Sequence, residues 1–133
     1  MNRNTWQKEI VYETTRNLDH PTADAVYHAA SERFSSLSRG TVYRNLNLMV
    51  ENGIIQRVQN PFGADHFDYN LAPHYHFICK QCRGVFDINA PIKSQLEDVK
   101  GKNRDFEIEL EEVVYYGLCP VCKQTINNPT GGK

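Results

Sequence analysis

Four cysteines fall as two pairs, Cys79-Lys-Gln-Cys82 and Cys119-Pro-Val-Cys122. Each pair offers two thiolates from one tight turn. Two such turns complete a tetrahedral shell with Zn–S of about 2.3 Å. In a reducing compartment this pattern points to zinc before disulfides, with redox dithiols or free buried thiols as the alternatives. A site closed by four sulfurs has no open position and is structural. Its binding energy, on the order of 10 kcal/mol in small zinc peptides, is folding energy that a small C-terminal unit needs. Gly84 and Gly117 flank the pairs and are expected to relax the backbone there.

Histidines and carboxylates form a second donor set. His74 and His76 are two apart on an expected strand and project from one face. Asp87 lies on the strand expected to pair back against them. Asp68 ends a predicted hairpin, and His20 precedes a predicted helix. Imidazole with carboxylate suits Fe(II), Mn(II) or Zn(II), not a thiolate-seeking metal. Solvated or hydrogen-bonded histidines, and a polar helix start at His20, are the plain alternatives.

These residues need elements to position them. Trp6 to Asn17 reads as a helix with Trp6, Ile10 or Val11, and Thr14 near one face. Thr22 is placed to cap a helix through about Phe34, with Val26, Ala30 and Phe34 inward. Ser38 is placed to cap a third helix, Arg39 to Asn52, stopping at Gly53, with Val42, Leu46 and Met49 inward. Arg39, Tyr43, Arg44 and Asn47 are left facing outward. Ile54 to Val58 and His66 to Tyr69 read as strands around the turn Asn60-Pro-Phe-Gly63. Three helices and a ribbon in that order make a winged helix-turn-helix, whose third helix reads DNA.

The second half predicts strands at His74–Ile78 and Gly84–Ile88 and a helix from Pro91 to about Val99. Phe106 to Glu111 alternates as a half-exposed strand, with a bulge at Glu112 before Val113 to Leu118. The tail from Asn127 to Lys133 is expected to be disordered. The fold class is thus α+β: a winged-helix DNA-binding domain over residues 1–69 and an α/β domain over 74–126.

The chain has 133 residues, room for one ordinary domain or two very small ones. Lys and Arg number 15 against 16 Asp and Glu, which excludes a large basic field. Up to Val58 there are seven against six, and beyond it eight against ten. DNA binding must therefore use a local patch, and a dimer with two patches fits best. Arg39, Thr41, Tyr43 and Arg44 fall in the first two turns of the third helix, where side chains reach base edges. A solvated helix face is the alternative. No apolar run approaches the ~20 residues that span a bilayer. The N-terminus lacks the apolar stretch of a signal peptide, so no membrane partner and a cytoplasmic location are expected.

Five motifs now resemble a known family in order and spacing. They are His20-Pro-Thr-Ala-Asp, Gly40-Thr-Val-Tyr-Arg-Asn-Leu, His66-Phe-Asp, His74-Tyr-His-Phe-Ile-Cys-Lys-Gln-Cys and Tyr116-Gly-Leu-Cys-Pro-Val-Cys. Over Arg3 to Cys122 the chain resembles ferric uptake regulator family repressors, most closely their peroxide-sensing branch, where Asp is typical at the Asp87 position. The resemblance implies a metal-dependent, homodimeric transcriptional repressor that binds a double-stranded DNA operator through its winged helix and dimerises through its C-terminal domain. It implies no enzyme activity. It assigns Cys79, Cys82, Cys119 and Cys122 to structural zinc. It assigns His20, Asp68, His74, His76 and Asp87 to a regulatory Fe(II) or Mn(II) site at the domain junction. In that branch hydrogen peroxide, reacting at the iron site, adds oxygen to a ligand histidine, by position His20 or His74. A metal held by both halves would fix their angle and so the spacing of two reading helices, roughly 34 Å or a multiple.

Two departures stand out. Against the family pattern, the longer first helix is expected to be largely missing before Arg3-x-Thr-x-Gln-Lys8, where Trp6 replaces the usual Pro, and with it minor-groove contacts; Lys8 is a candidate for DNA contact. Tyr75 between the two histidines and Leu110-Glu111-Glu112 further on replace the donors of an additional metal site found in some members. One regulatory and one structural site per chain are expected. An iron- or zinc-sensing repressor, a non-DNA-binding zinc protein and an open-site metalloenzyme are the competing readings.

Overall fold

The computed structural model describes residues 5–71, 74–91 and 93–127. The chain divides into two compact units, Met1–Ala72 and Pro73–Lys133.

The first unit holds helices α1 (Thr5–Asn17), α2 (Ala23–Arg33) and α3 (Arg39–Glu51), then strands β1 (Gln56–Val58) and β2 (His66–Asp68). The Thr22 side chain accepts a hydrogen bond from the Ala25 amide, and Ser38 accepts one from Thr41, so both expected N-caps form. The helices bury Val11, Val26, Ala30, Leu37, Val42, Leu46 and Met49 against Ile55 and Phe67. On α1 the inward residues are Val11, Thr14 and Thr15, with the Thr15 hydroxyl donating to the Val11 carbonyl at 2.7 Å. Trp6 is not inside: it is 41% exposed, and its ring lies 5.8 Å from that of Phe34. It stands in the first turn, past the end of the three-helix contact, and covers Phe34 only from outside.

Helix α3 ends in a Schellman motif. Gly53, at φ 71°, donates to the Val50 carbonyl at 3.1 Å, and Ile54 donates to Met49 at 2.8 Å. This consumes the amides of Ile54 and Ile55, so β1 begins at Gln56 and not at Ile54. β1 and β2 are antiparallel, with Arg57 opposite Phe67. Three helices and this ribbon make the expected winged helix-turn-helix.

The second unit holds β3 (Tyr75–Cys79), β4 (Val85–Ile88), α4 (Leu96–Lys102), β5 (Val114–Gly117) and α5 (Pro120–Asn127). The sheet order is β4-β3-β5, with β3 antiparallel to β4 and parallel to β5. Four expectations are corrected here. The helix expected from Pro91 starts at Leu96, after Gln95; its Ile92 lies outside the described residues. Phe106 to Glu111 forms no strand, and the bulge at Glu112 goes with it. Alternation alone cannot make a strand without a neighbour to accept its hydrogen bonds, and here Phe106 and Leu110 stand 69% and 70% exposed. A helix, α5, follows Cys119, with Pro120 in its first position where a missing N–H costs nothing. At the Cys79–Cys82 turn the left-handed residue is Arg83, at φ 65°. Gly84 serves by its lack of a side chain, since a Cβ there would lie 3.0 Å from the Phe86 ring and 3.4 Å from the Cys82 sulfur. The tail beyond Asn127 lies outside the described residues.

Candidate functional site

β3 ends in Cys79 and turns directly through Cys82. Beyond β5, Cys119 and Cys122 flank the start of α5. Lys80 donates to the Gly117 carbonyl at 2.9 Å, which holds the two Cys-x-x-Cys turns side by side. The four sulfurs lie within 4.8 Å of one another, and Cys82 Sγ is 3.9 Å from Cys119 Sγ. A zinc tetrahedron with 2.3 Å bonds has S–S edges of about 3.8 Å, whereas a disulfide needs about 2.05 Å. All four cysteines are free thiols. The arrangement fits zinc and not a pair of disulfides. Burial pushes the Cys79 thiol up, but backbone N–H groups of Cys119, Cys82 and Gln81 outweigh it and bring the thiol down to about 6. Burial and its three sulfur neighbours drive Cys122 up to about 12. Thiolates crowded this closely repel, and a divalent cation is the species that lets them ionise together.

Within the first unit, His20 and Asp68 meet. Both side chains are 6% exposed, with His20 Nε2 3.2 Å from Asp68 Oδ2. Their placement follows from β2. Phe67 donates to the Pro21 carbonyl at 2.8 Å, His66 bridges Thr22, and the His66 ring bonds the His20 carbonyl. His20 itself adopts φ 45°, the left-handed region that non-glycine residues rarely occupy. Its other nitrogen, Nδ1, lies 2.6 Å from Asp19 Oδ1. A carboxylate on Nδ1 is the usual support of a metal-bound imidazole, whose Nε2 would then ligate beside the Asp68 oxygen. Sequence reasoning missed Asp19 and His66. A carboxylate adjacent to a ligand histidine was the available signal for the first; the second depends on strand pairing.

Within the second unit, His76 and Asp87 are register partners across β3 and β4. His74 and His76 face the same way as expected, with their Nε2 atoms 3.0 Å apart. Asp87 Oδ1 stands 3.3 Å from His74 Nε2 and 3.8 Å from His76 Nε2. Two imidazole nitrogens and a carboxylate oxygen converging this closely make a hard-metal donor set.

On α3, Arg39, Tyr43, Arg44 and Asn47 are exposed and Thr41 is half-buried. Thr41 receives a hydrogen bond from Ser38 Oγ at 2.9 Å, and Arg44 reaches its hydroxyl at 3.4 Å. Arg39 is ion-paired with Asp24, and the Tyr43 hydroxyl donates to the same carboxylate at 2.8 Å. Arg57 ties the wing to α3 by donating to Asn47 at 2.6 Å. Lys8 is exposed on α1.

The chain is similar to known proteins in sequence and in fold. A model of the ferric uptake regulator family matches residues 2–116. The peroxide-responsive repressor PerR of Staphylococcus epidermidis is 33% identical over 108 residues, which is 81% of this chain and 72% of the relative. PerR of Staphylococcus aureus is 34% identical over 104 residues, 78% of this chain and 70% of the relative. The fold is similar to the Campylobacter jejuni peroxide stress regulator (TM-score 0.72, 24% identity, 90% of this chain and 91% of the other). It is also similar to the Helicobacter pylori ferric uptake regulator (TM-score 0.70, 20% identity, 92% of this chain and 85% of the other). With the donor sets, the winged helix and the matched span in hand, the chain belongs to the ferric uptake regulator family, whose members are metal-responsive DNA-binding transcriptional regulators and not enzymes.

Proposed function

We propose that the chain is a homodimeric repressor whose hold on its operator is set by one regulatory metal ion and released by hydrogen peroxide. Residues 1–69 are its DNA-binding domain and residues 74–126 its dimerisation domain. His20 and Asp68 together with His74, His76 and Asp87 hold Fe(II) or Mn(II), and Cys79, Cys82, Cys119 and Cys122 hold structural zinc. The observation that carries the reading is that each unit gathers its own partial set of hard donors, His20 with Asp68 at 3.2 Å and His74 with Asp87 at 3.3 Å. Two or three protein donors hold such a cation poorly, while five hold it well and link the units that supply them.

DNA contact falls to Arg39, Thr41, Tyr43 and Arg44 on α3, with Lys8 from α1. Arginine suits guanine, and a tyrosine ring or threonine methyl suits the thymine methyl. Iron at this site would promote O–O cleavage of hydrogen peroxide catalytically, the net two electrons coming from the imidazole that is oxidised. The chain supplies the oxidisable donors, the imidazoles of His20 and His74. One oxygen atom of peroxide ends on an imidazole and the other leaves as water. An oxidised imidazole is a poorer donor, so the link between units weakens and DNA is released. The names of the relatives at 33–34% identity, peroxide-responsive repressors, support this over a pure iron or zinc sensor.

Gel shift with and without Mn(II) tests the repressor reading: DNA retention that needs the metal supports it, and indifference to metal refutes it. Mass spectrometry tests the signal. After Fe(II) and peroxide, the peptide carrying His20 or His74 gains one oxygen atom. Metal-dependent DNA binding without that gain leaves a metal sensor and removes the peroxide reading.

A further inference from the structure

Asp24 lies outside every donor set yet bonds two of the α3 residues proposed to contact DNA. It is in the first turn of α2, where the partial positive charge of a helix N-terminus favours an anion. Its carboxylate receives both the Arg39 guanidinium and the Tyr43 hydroxyl. The same guanidinium lies over the Tyr27 ring, 4.4 Å from its centroid. Arg39 is therefore fixed from two sides, by an anion and by an aromatic face, although it is half-exposed. Arg44, one turn further along α3, meets only the Thr41 hydroxyl and has no carboxylate partner among the described residues. Two arginines on one helix end thus carry different constraints. An unrestrained guanidinium beside a duplex goes to the nearest phosphate, which carries no sequence information. A neutralised and oriented one gains little from a phosphate and is available to a base edge.

We propose that Asp24 is a specificity-determining residue: it withholds Arg39 from the phosphate backbone and holds Arg39 and Tyr43 together as one base-reading pair. Arg44 is left as the phosphate contact. The inference rests on α3 being the reading helix.

The experiment uses the full chain loaded with zinc and Mn(II). The wild type first selects duplexes from a random pool. Binding to a selected duplex and to its scrambled form is then followed by fluorescence anisotropy across a KCl series. Asp24→Ala is expected to bind scrambled DNA more tightly, and its log–log salt slope steepens by about 0.9 as Arg39 gains a phosphate. The ratio of selected to scrambled affinity falls about tenfold. The slope change does not occur when Asp24→Ala is made in an Arg39→Ala background, where only the part of the ratio that Tyr43 carries is lost. Tyr43→Phe, which removes only the hydroxyl, lowers the ratio without changing the slope. An unchanged slope and ratio in Asp24→Ala overturns the proposal. So does an equal slope change in the Arg39→Ala background, because simple loss of a negative charge then explains it. If the wild type selects no sequence at all, the reading-helix assignment falls and this inference with it. A selected sequence that Asp24→Ala still reads normally sinks this inference alone.

Discussion

His20 shows how much one residue can be asked to do. It sits in a left-handed backbone conformation, gives Nε2 to Asp68 and places Nδ1 against Asp19. Removing the Asp19 carboxylate keeps the proposed ligand but frees its ring. Asp19→Asn is expected to weaken Mn(II) binding by about tenfold in a chelator competition, with no loss of thermal stability, because Asp19 is exposed. An unchanged affinity would show that the imidazole needs no such support. Asp68→Ala removes a proposed ligand instead of its support, and binding at the proposed regulatory site is expected to be lost while zinc content stays at one per chain. At the other site the donors are thiolates, so the outcome reverses: Cys82→Ser is expected to lose zinc, measured by atomic absorption, and keep none of the second unit's thermal transition. Metal binding displaces thiol protons, with Cys122 starting highest at about 12, so acid weakens the site.

At the scale of elements, the first unit follows local rules closely. The caps at Thr22 and Ser38 and the glycine stop at Gly53 each satisfy a helix end with residues a few positions away. Such features are legible because their partners are near in sequence. Ser38→Ala is expected to cost about 1 kcal/mol in urea unfolding, the usual worth of an N-cap. Leu46→Ala, at 0% exposure in the centre of the three helices, is expected to cost roughly 2–5 kcal/mol. A loss at Ser38 as large as that at Leu46 would mean that the cap also positions the reading residues behind it. The second unit is less legible. The pattern from Phe106 to Glu111 is that of a strand, but no strand forms, since a ladder needs a second strand in reach. Helix α5 opens at Pro120 inside the Cys-Pro-Val-Cys pair, where the sulfur spacing by itself carries no helical signal.

At the scale of the molecule, the second unit is short of interior. Ile78, Cys79, Val85 and Cys119 are its buried apolar residues among those described, while Phe106, Leu110, Tyr115, Tyr116 and Val121 are each more than two-fifths exposed. So much apolar surface on a small unit marks an interaction face. A second copy of the chain is the occupant that the proposed repressor needs, since two half-sites are read together. Leu110→Glu is expected to shift the mass measured by light scattering from dimer to monomer and to reduce DNA affinity, with zinc content unchanged. A dimer that persists through this change would place the interface elsewhere. No helix among the described residues is long and apolar enough to cross a membrane.

Sequence by itself determined the donor types and every relation that depends on neighbours: the paired cysteines, His74 beside His76 on one strand face, the capped helices and the glycine that ends α3. Those follow from the fixed repeat of helix and strand, which places near residues without reference to the rest of the chain. Tertiary structure decided which distant groups meet. It brought Asp68 to His20, Cys119 to Cys82, and Asp24 to Arg39 and Tyr43. It also left Phe106 to Glu111 unpaired. The reason is physical: a long-range contact exists only after burial and strand pairing have fixed two separate elements against each other, and no local periodicity carries that information.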